Sequence, residues 1–264
     1  LVQSVYDSYK NNPKQFVDRI NSYGLNKPLG LPIKGEGVPV IPQPGTNRWS
    51  GVALPWMAFG YGLSVTPLQT LTLYNAVAND GVMVKPIFVS EIKEWNKTIK
   101  KFNTEVINPK ICSQETLDKV QAVLENVVKK GTGSKLYSKD FSMAGKTGTA
   151  QVNYKDKSKL YYASSFVGYF PADEPKYSCI IVVHKPNVAA GYYGADVAGP
   201  VFKRIAQKIF TDSPSTNHVK NIDAKVVSQE KNYSEYYKKV EKEERIIPNV
   251  KGMDGMDAVA LLEN

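Results

Sequence analysis

Histidine and cysteine are nearly absent from this chain, with two of each among 264 residues. Cys112 and Cys179 lie far apart and neither has a C-x-x-C neighbour, which leaves no zinc-site spacing; both are expected to be buried free thiols. His184 follows the apolar run CIIVV and His218 sits in a polar stretch, so neither supports a metal or acid–base site, and no cofactor is called for. No window approaches the roughly 18 unbroken apolar residues of a membrane-spanning helix, and the N-terminus lacks a signal-peptide pattern. Arg-rich helices and aromatic-basic RNA motifs are missing too, so the net charge of +9 is assigned to solvated surface and not to nucleic acid. The chain opens at LVQSVYDSYK and closes at AVALLEN without a capping signal, and both ends are expected to be cuts in a longer protein.

What is present is enough apolar residue, 42% of the chain, to bury a full core. NPKQFVDRINSYG places Pro13 in a first helical turn and Gly24 after the end, which reads as a helix. The stretch from Asn26 to Pro55 is too rich in proline and glycine for regular structure and too apolar for a free linker, and is expected to pack as an ordered loop. SVTPLQTLTLYNAVANDG offers Thr66 as N-cap, Pro67 in the first turn, a stripe of Leu68, Leu71, Tyr74 and Val77 or Ala78, and Gly81 as stop. VMVKPIFVSEIKEW and TIKKFN read as short strands around Asn96, and SQETLDKVQAVLENVVKKG as a helix with Leu117, Val120, Leu124 and Val127 in line.

Three strand-like runs follow, Ser142 to Val152, Tyr161 to Phe170 and Tyr177 to His184, with connections short enough for antiparallel hairpins. A final helix, VAGPVFKRIAQKIF, would pack Val201, Ile205 and Ile209 on that sheet. The fold class is therefore α+β, an antiparallel sheet flanked by helices, with the core over 1–212. Residues 213–245 read as a linker, with five basic and five acidic residues balanced between Val226 and Arg245, and 246–264 restarts as a short apolar strand, a glycine turn and the beginning of an amphipathic helix.

One stretch carries chemistry. SMAGKTGTAQVN puts a lysine and a glycine into a strand, and a glycine there weakens the strand unless something approaches its backbone closely. In KTGT, Lys146 supplies positive charge, Thr147 and Thr149 alternate to one face as hydroxyl donors, and Gly148 leaves a gap along which a small carboxylate could lie. Period-two alternation sets Lys146 on the face opposite the threonines, so a twist or bulge is needed to bring it into the same cleft.

AGKTGTAQ, GYGLSVTPLQTLTLYNAVANDGVMVKP and FVGYFPADEPKY together resemble the C-terminal part of the transpeptidase domain of class B penicillin-binding proteins, the septal cell-division type most of all. The resemblance runs in the family's order from about Leu1 to Phe210, and IPNVKGMDGMDAVALLEN resembles the start of a PASTA domain. It implies a serine D,D-transpeptidase that acylates on the penultimate D-alanine of a peptidoglycan stem peptide, releases the last D-alanine, and passes the acyl group to a neighbouring amine. On that template Lys146 and Thr149 take catalytic roles, the Thr149 N–H forming half of an oxyanion hole. Thr147, Gly148 and, more weakly, Gln151 bind substrate, and a β-lactam would lie along the strand as the peptide does. The partners implied are the stem peptide or its lipid-linked precursor, β-lactams and division-machinery proteins. The place implied is the extracytoplasmic face of the cell envelope, with an N-terminal anchor absent from this chain.

The family's nucleophilic serine, its lysine base and its Ser-x-Asn element precede everything this chain matches. SEIK at Ser90–Lys93, SQEK at Ser228–Lys231 and STN at Ser215–Asn217 are out of order or context and are read as chance. The 264 residues by themselves are therefore expected not to acylate. A serine β-lactamase, which also uses a K-T-G strand, and a noncatalytic wall-binding or sensor module are the alternative readings.

Overall fold

The computed structural model describes residues 1–153, 158–189 and 191–212. The chain divides into one unit over Leu1–Phe210 and a second over Thr211–Asn264. The expected linker and PASTA-like restart lie outside the described residues. In chain order the elements are α1 (Val2–Tyr9), α2 (Pro13–Ser22), α3 (Ala53–Met57), α4 (Pro67–Ala78), β1 (Met83–Val84), β2 (Glu91–Glu94), β3 (Lys97–Lys101) and β4 (Val106–Asn108). They continue as α5 (Gln114–Lys129), a 3₁₀ turn (Ser134–Leu136), β5 (Ala144–Val152), β6 (Tyr161–Phe170), β7 (Tyr177–His184), α6 (Gly194–Val197) and α7 (Gly199–Asp212).

The main sheet has three antiparallel strands in the order β5-β6-β7. Its register is unbroken from Ala144 opposite Tyr169 to Val152 opposite Tyr161. Helix α5 packs on β5, and α4 on β6 and β7. Successive side chains of β6 serve two cores: Tyr169 joins Val77, Leu117, Leu124 and Ala144, while Phe166 and Phe170 join Phe141, Met143, Phe202 and Ala206. Where β6 is covered on both faces, over FVGYF, the sequence is a run without polar alternation.

Phe166 sets the packing of α7. Its ring lies 4.7 Å from that of Phe202, which meets Phe170 edge-on at 5.6 Å. Phe202 and Ala206 are therefore the buried stripe of α7, with Ile209 partly buried beside it, whereas Val201 is 41% exposed. Of the expected stripe of Val201, Ile205 and Ile209, only Ile209 packs on this core; the face is centred one residue on, at Phe202 and Ala206, because the largest ring and not the aliphatic spacing decides which face turns inward. Gly145 serves the same ring: a Cβ there would stand 2.7 Å from the Phe166 edge.

The cap of α4 is as expected and its stripe is so only in part: Val77 is buried in the core and Tyr74 and Ala78 pack against it. Thr66 accepts from Gln69 N and the Gln69 side chain accepts from Thr66 N, a reciprocal box. The buried positions are Gln69, Thr72, Ala76 and Val77, while Leu68, Leu71 and Tyr74 are only half-buried. Gln69 can sit inside because its amide also donates to Lys27 O at 2.8 Å, and Thr72 donates to Leu68 O. Replacing Thr66 by alanine is expected to cost about 1 kcal/mol, read as a lower urea midpoint at unchanged slope.

The Asn26–Pro55 stretch is ordered, as expected. The Glu36 carboxylate accepts from Leu29 N and from Leu31 N, and Val40 forms a bridge with Ser64. The expected strand through VMVKPIFVSEIKEW splits: β1 pairs with β4, which the sequence did not reveal, and β2 pairs with β3 in a separate exposed hairpin. In α5 the last buried position is Val128, with Val127 half-buried. β5 starts at Ala144, not Ser142, because Ser142 turns its hydroxyl to Asp173 and accepts from Ala172 N. The cysteines are free but only half-buried, Cys179 beside the α7 core with its thiol pKa raised by burial. Among the described residues no helix is long and apolar enough to cross a membrane.

Candidate functional site

β5 is an edge strand, so one row of its backbone groups has no strand to pair with. Which row is shown by Gln151, whose N–H donates to the Tyr61 hydroxyl at 2.9 Å and so points away from β6. Alternate residues of an antiparallel strand aim their backbone groups the same way, which turns the N–H of Thr149 and the carbonyl of Thr147 along this same open edge. Lys146 Nζ donates to Thr147 O at 2.9 Å. The ammonium thus sits on the edge, one alternation from the Thr149 N–H, and Lys146 is exposed there.

This corrects the expected route. No bulge interrupts β5, so the Lys146 side chain leaves on the face opposite those of Thr147 and Thr149. Its four-carbon stem brings the charge around to the edge instead. The threonine hydroxyls, expected as ligand donors, are engaged within the chain: Thr147 Oγ1 lies 3.0 Å from Thr132 Oγ1, and Thr149 Oγ1 accepts from Gly194 N at 3.0 Å. Because Thr149 Oγ1 accepts there, its own proton remains available to a further acceptor.

Gly148 also has a nearer reason than a ligand. The place its Cβ would take is occupied by Ser165 Oγ, and Gly194 lies against the Gly148 backbone, its own absent Cβ 3.1 Å from Gly148 N and closer still to the carbonyl oxygens of Gly148 and Ser165. The close approach of α6 to the sheet forbids a side chain at Gly194, while at Gly148 the obstacle is the neighbouring strand's Ser165. A methyl at Gly194 meets backbone, which cannot rotate away, whereas one at Gly148 meets a hydroxyl, which can. Gly194→Ala is therefore expected to cost about 1–3 kcal/mol, and Gly148→Ala distinctly less, in paired urea denaturation curves.

Aromatic rings gather at the Gln151 end. Tyr61 packs edge-on against Trp56 at 5.9 Å and against Phe59 at 5.4 Å. Tyr162 stacks on Tyr192 at 4.1 Å, Tyr192 neighbours Tyr193 at 4.5 Å, and Gln151 Nε2 donates to the Tyr162 hydroxyl at 3.2 Å. The hydrogen bond to the Tyr193 hydroxyl, with the repulsion between the two phenolates, pushes Tyr192 up to about 12, so it stays neutral and a donor near neutral pH. None of Thr132, Gly194, Tyr61 or the tyrosine stack was singled out as a site residue from sequence. The one local signal is at Tyr61, held between Gly60 and Gly62, both at positive φ (+95° and +78°), where a loop turns sharply to present a ring.

The literal Ser-x-x-Lys match at Ser90–Lys93 lies in the exposed β2–β3 hairpin, with Lys93 ion-paired to Glu91 at 2.6 Å. Ser228–Lys231 and Ser215–Asn217 lie outside the described residues. No group of three or more metal-ligating side chains occurs among the described residues.

An open sheet edge that combines a lysine ammonium, a backbone N–H and flanking aromatic rings is chemically able to take an extended, carboxylate-bearing chain. The chain belongs to the penicillin-binding protein transpeptidase domain family, whose model matches residues 4–207. Stage V sporulation protein D of Bacillus subtilis is 32% identical over 93% of this chain and 36% of its own length. The peptidoglycan D,D-transpeptidase FtsI of Buchnera aphidicola is 32% identical over 74% of this chain and 33% of its own. The chain thus spans about a third of the length of these relatives. Penicillin-binding protein 3 of Mycobacterium tuberculosis in its apo form superposes with a TM-score of 0.65 at 29% identity, over 76% of this chain and 47% of that one. The same protein complexed with ampicillin matches with a TM-score of 0.64.

Proposed function

We propose that this chain is the substrate-gripping part of a serine-type peptidoglycan D,D-transpeptidase. The observation that carries the reading is the open edge of β5, where the Lys146 ammonium and the Thr149 N–H stand together. The substrate is a stem peptide ending in D-alanyl-D-alanine, added to that edge as a further strand, and a β-lactam takes the same place. A serine outside these residues attacks the penultimate carbonyl; a C–O bond forms, the amide C–N bond breaks, and the terminal D-alanine leaves with the proton. Charge that develops on the carbonyl oxygen meets the Thr149 N–H, already aimed and needing no reorganisation. Lys146 and the remaining Thr149 proton hold the substrate carboxylate, with Thr147, bonded to Thr132, beside them, and Gln151 with the rings beside it borders the chain further along the strand. The β-lactam complexes of the Mycobacterium tuberculosis relative support that ligand class. The reading places the parent protein at the cell envelope, facing the wall, in the company of the division machinery.

A fluorescent penicillin tests this. The full-length protein is expected to give a labelled band that survives denaturation, and the 264-residue chain none. An unlabelled full-length protein would refute the proposal. A labelled 264-residue chain would show that the nucleophile had been sought in the wrong place.

A further inference from the structure

The two threonines of the KTGT edge are held by elements far away in sequence. Thr132, at the turn after α5, meets Thr147, and Gly194, which opens α6, donates to Thr149. Three residues beyond Thr132 stands Lys135, two beyond Gly194 stands Asp196, and Lys135 Nζ bonds Asp196 Oδ1 at 2.6 Å. The contacts close a ring: β5 at Thr147, the turn at Thr132 and Lys135, α6 at Asp196 and Gly194, and β5 again at Thr149. We propose that Lys135 and Asp196 are positioning residues for the transpeptidase reaction, their ion pair setting where the turn and α6 hold the threonines and hence where the Thr149 N–H points. The inference rests on the reading of β5 as the substrate edge.

The ring places the site without holding up the fold. Leu136 is 1% exposed in the core and Lys203 donates to Tyr137 O at 3.0 Å, so the turn stays anchored when the ion pair is cut. The pair itself is open to solvent, with side-chain exposures of 76% for Lys135 and 33% for Asp196. Pairs of this kind contribute little, which bounds the effect at about two- to fivefold. The change belongs in the acylation step, where the N–H meets developing charge, and not in the prior encounter with ligand.

The experiment compares acylation of the full-length protein by ampicillin, resolved into the rate constant of the acylation step and the dissociation constant of the complex before it. Asp196→Ala and Lys135→Ala are each expected to lower the rate constant about two- to fivefold while the dissociation constant stays within about twofold. The exchange of the two charges, Lys135→Asp with Asp196→Lys, restores most of the rate. Lys119→Ala cuts a comparable exposed pair with Glu115 on α5 and leaves both constants unchanged. A second readout needs no acylation: in the 264-residue chain, hydrogen exchange of the Gly194 amide is expected to quicken in Asp196→Ala and not in Lys119→Ala. Unchanged rates and unchanged Gly194 exchange in Asp196→Ala would overturn the inference, as would a charge exchange that restores nothing. A wild-type protein that ampicillin never acylates would overturn the transpeptidase reading, and the positioning role with it. Gly194 exchange would then decide only whether the ring exists.

Discussion

Lys146→Ala in the full-length protein is expected to slow acylation by a β-lactam by about 10²–10³-fold, the loss typical of removing one preorganised charge or donor from a reacting centre. Lys146 is exposed and its ammonium bonds Thr147 O on the open edge, so the substitution leaves no buried group unpaired among the described residues and should move stability by less than about 0.5 kcal/mol. Stopped-flow acylation beside a urea denaturation curve separates the two. A loss of rate with an unchanged midpoint is the expected pair. Lys146→Arg should recover only part of the rate, because a planar guanidinium cannot turn back onto the Thr147 carbonyl as a compact ammonium does.

The second large effect lies in the core. Phe166→Ala removes a ring that is 0% exposed and touches both Phe202 and the Gly145 backbone, and is expected to cost about 3–5 kcal/mol. The two glycines beside the ring, Gly145 and Gly133, offer no side chain that could collapse into the space. The value should therefore fall in the upper part of that range, measured as the change in unfolding free energy of this chain.

The sequence disclosed the central hairpins well, with β6 and β7 bounded as expected, because the apolar runs FVGYF and CIIVV flanked by turn residues admit few other readings. It disclosed the start of α4 equally well, since a threonine, a proline and a glutamine within one turn fix a cap locally. It disclosed the inward faces of α4 and α7 only in part, reaching Val77 and Ile209 but not Gln69, Thr72 or Phe202. That choice depends on partners such as Phe166 and Lys27, which lie 36 and 42 positions from the Phe202 and Gln69 they receive. The site shows the same division. KTGT was legible as a charge beside two hydroxyls and a bare backbone position, but not the groups that meet this strand, the Thr132 hydroxyl at Thr147, the Gly194 N–H at Thr149 and the Tyr61 hydroxyl at Gln151, each brought in from a different part of the chain. Period-two alternation also placed Lys146 on the wrong face for a simple cleft, and the remedy was not a bulge but the reach of the lysine over an edge that only the strand order reveals.

A crystal structure of the full-length protein acylated by ampicillin tests the central claim most directly. The account expects the ligand along the open edge of β5, its acyl oxygen within hydrogen-bond distance of Thr149 N and its carboxylate beside Lys146 Nζ. A ligand lying elsewhere, or an acyl oxygen out of hydrogen-bond reach of Thr149 N, would contradict it.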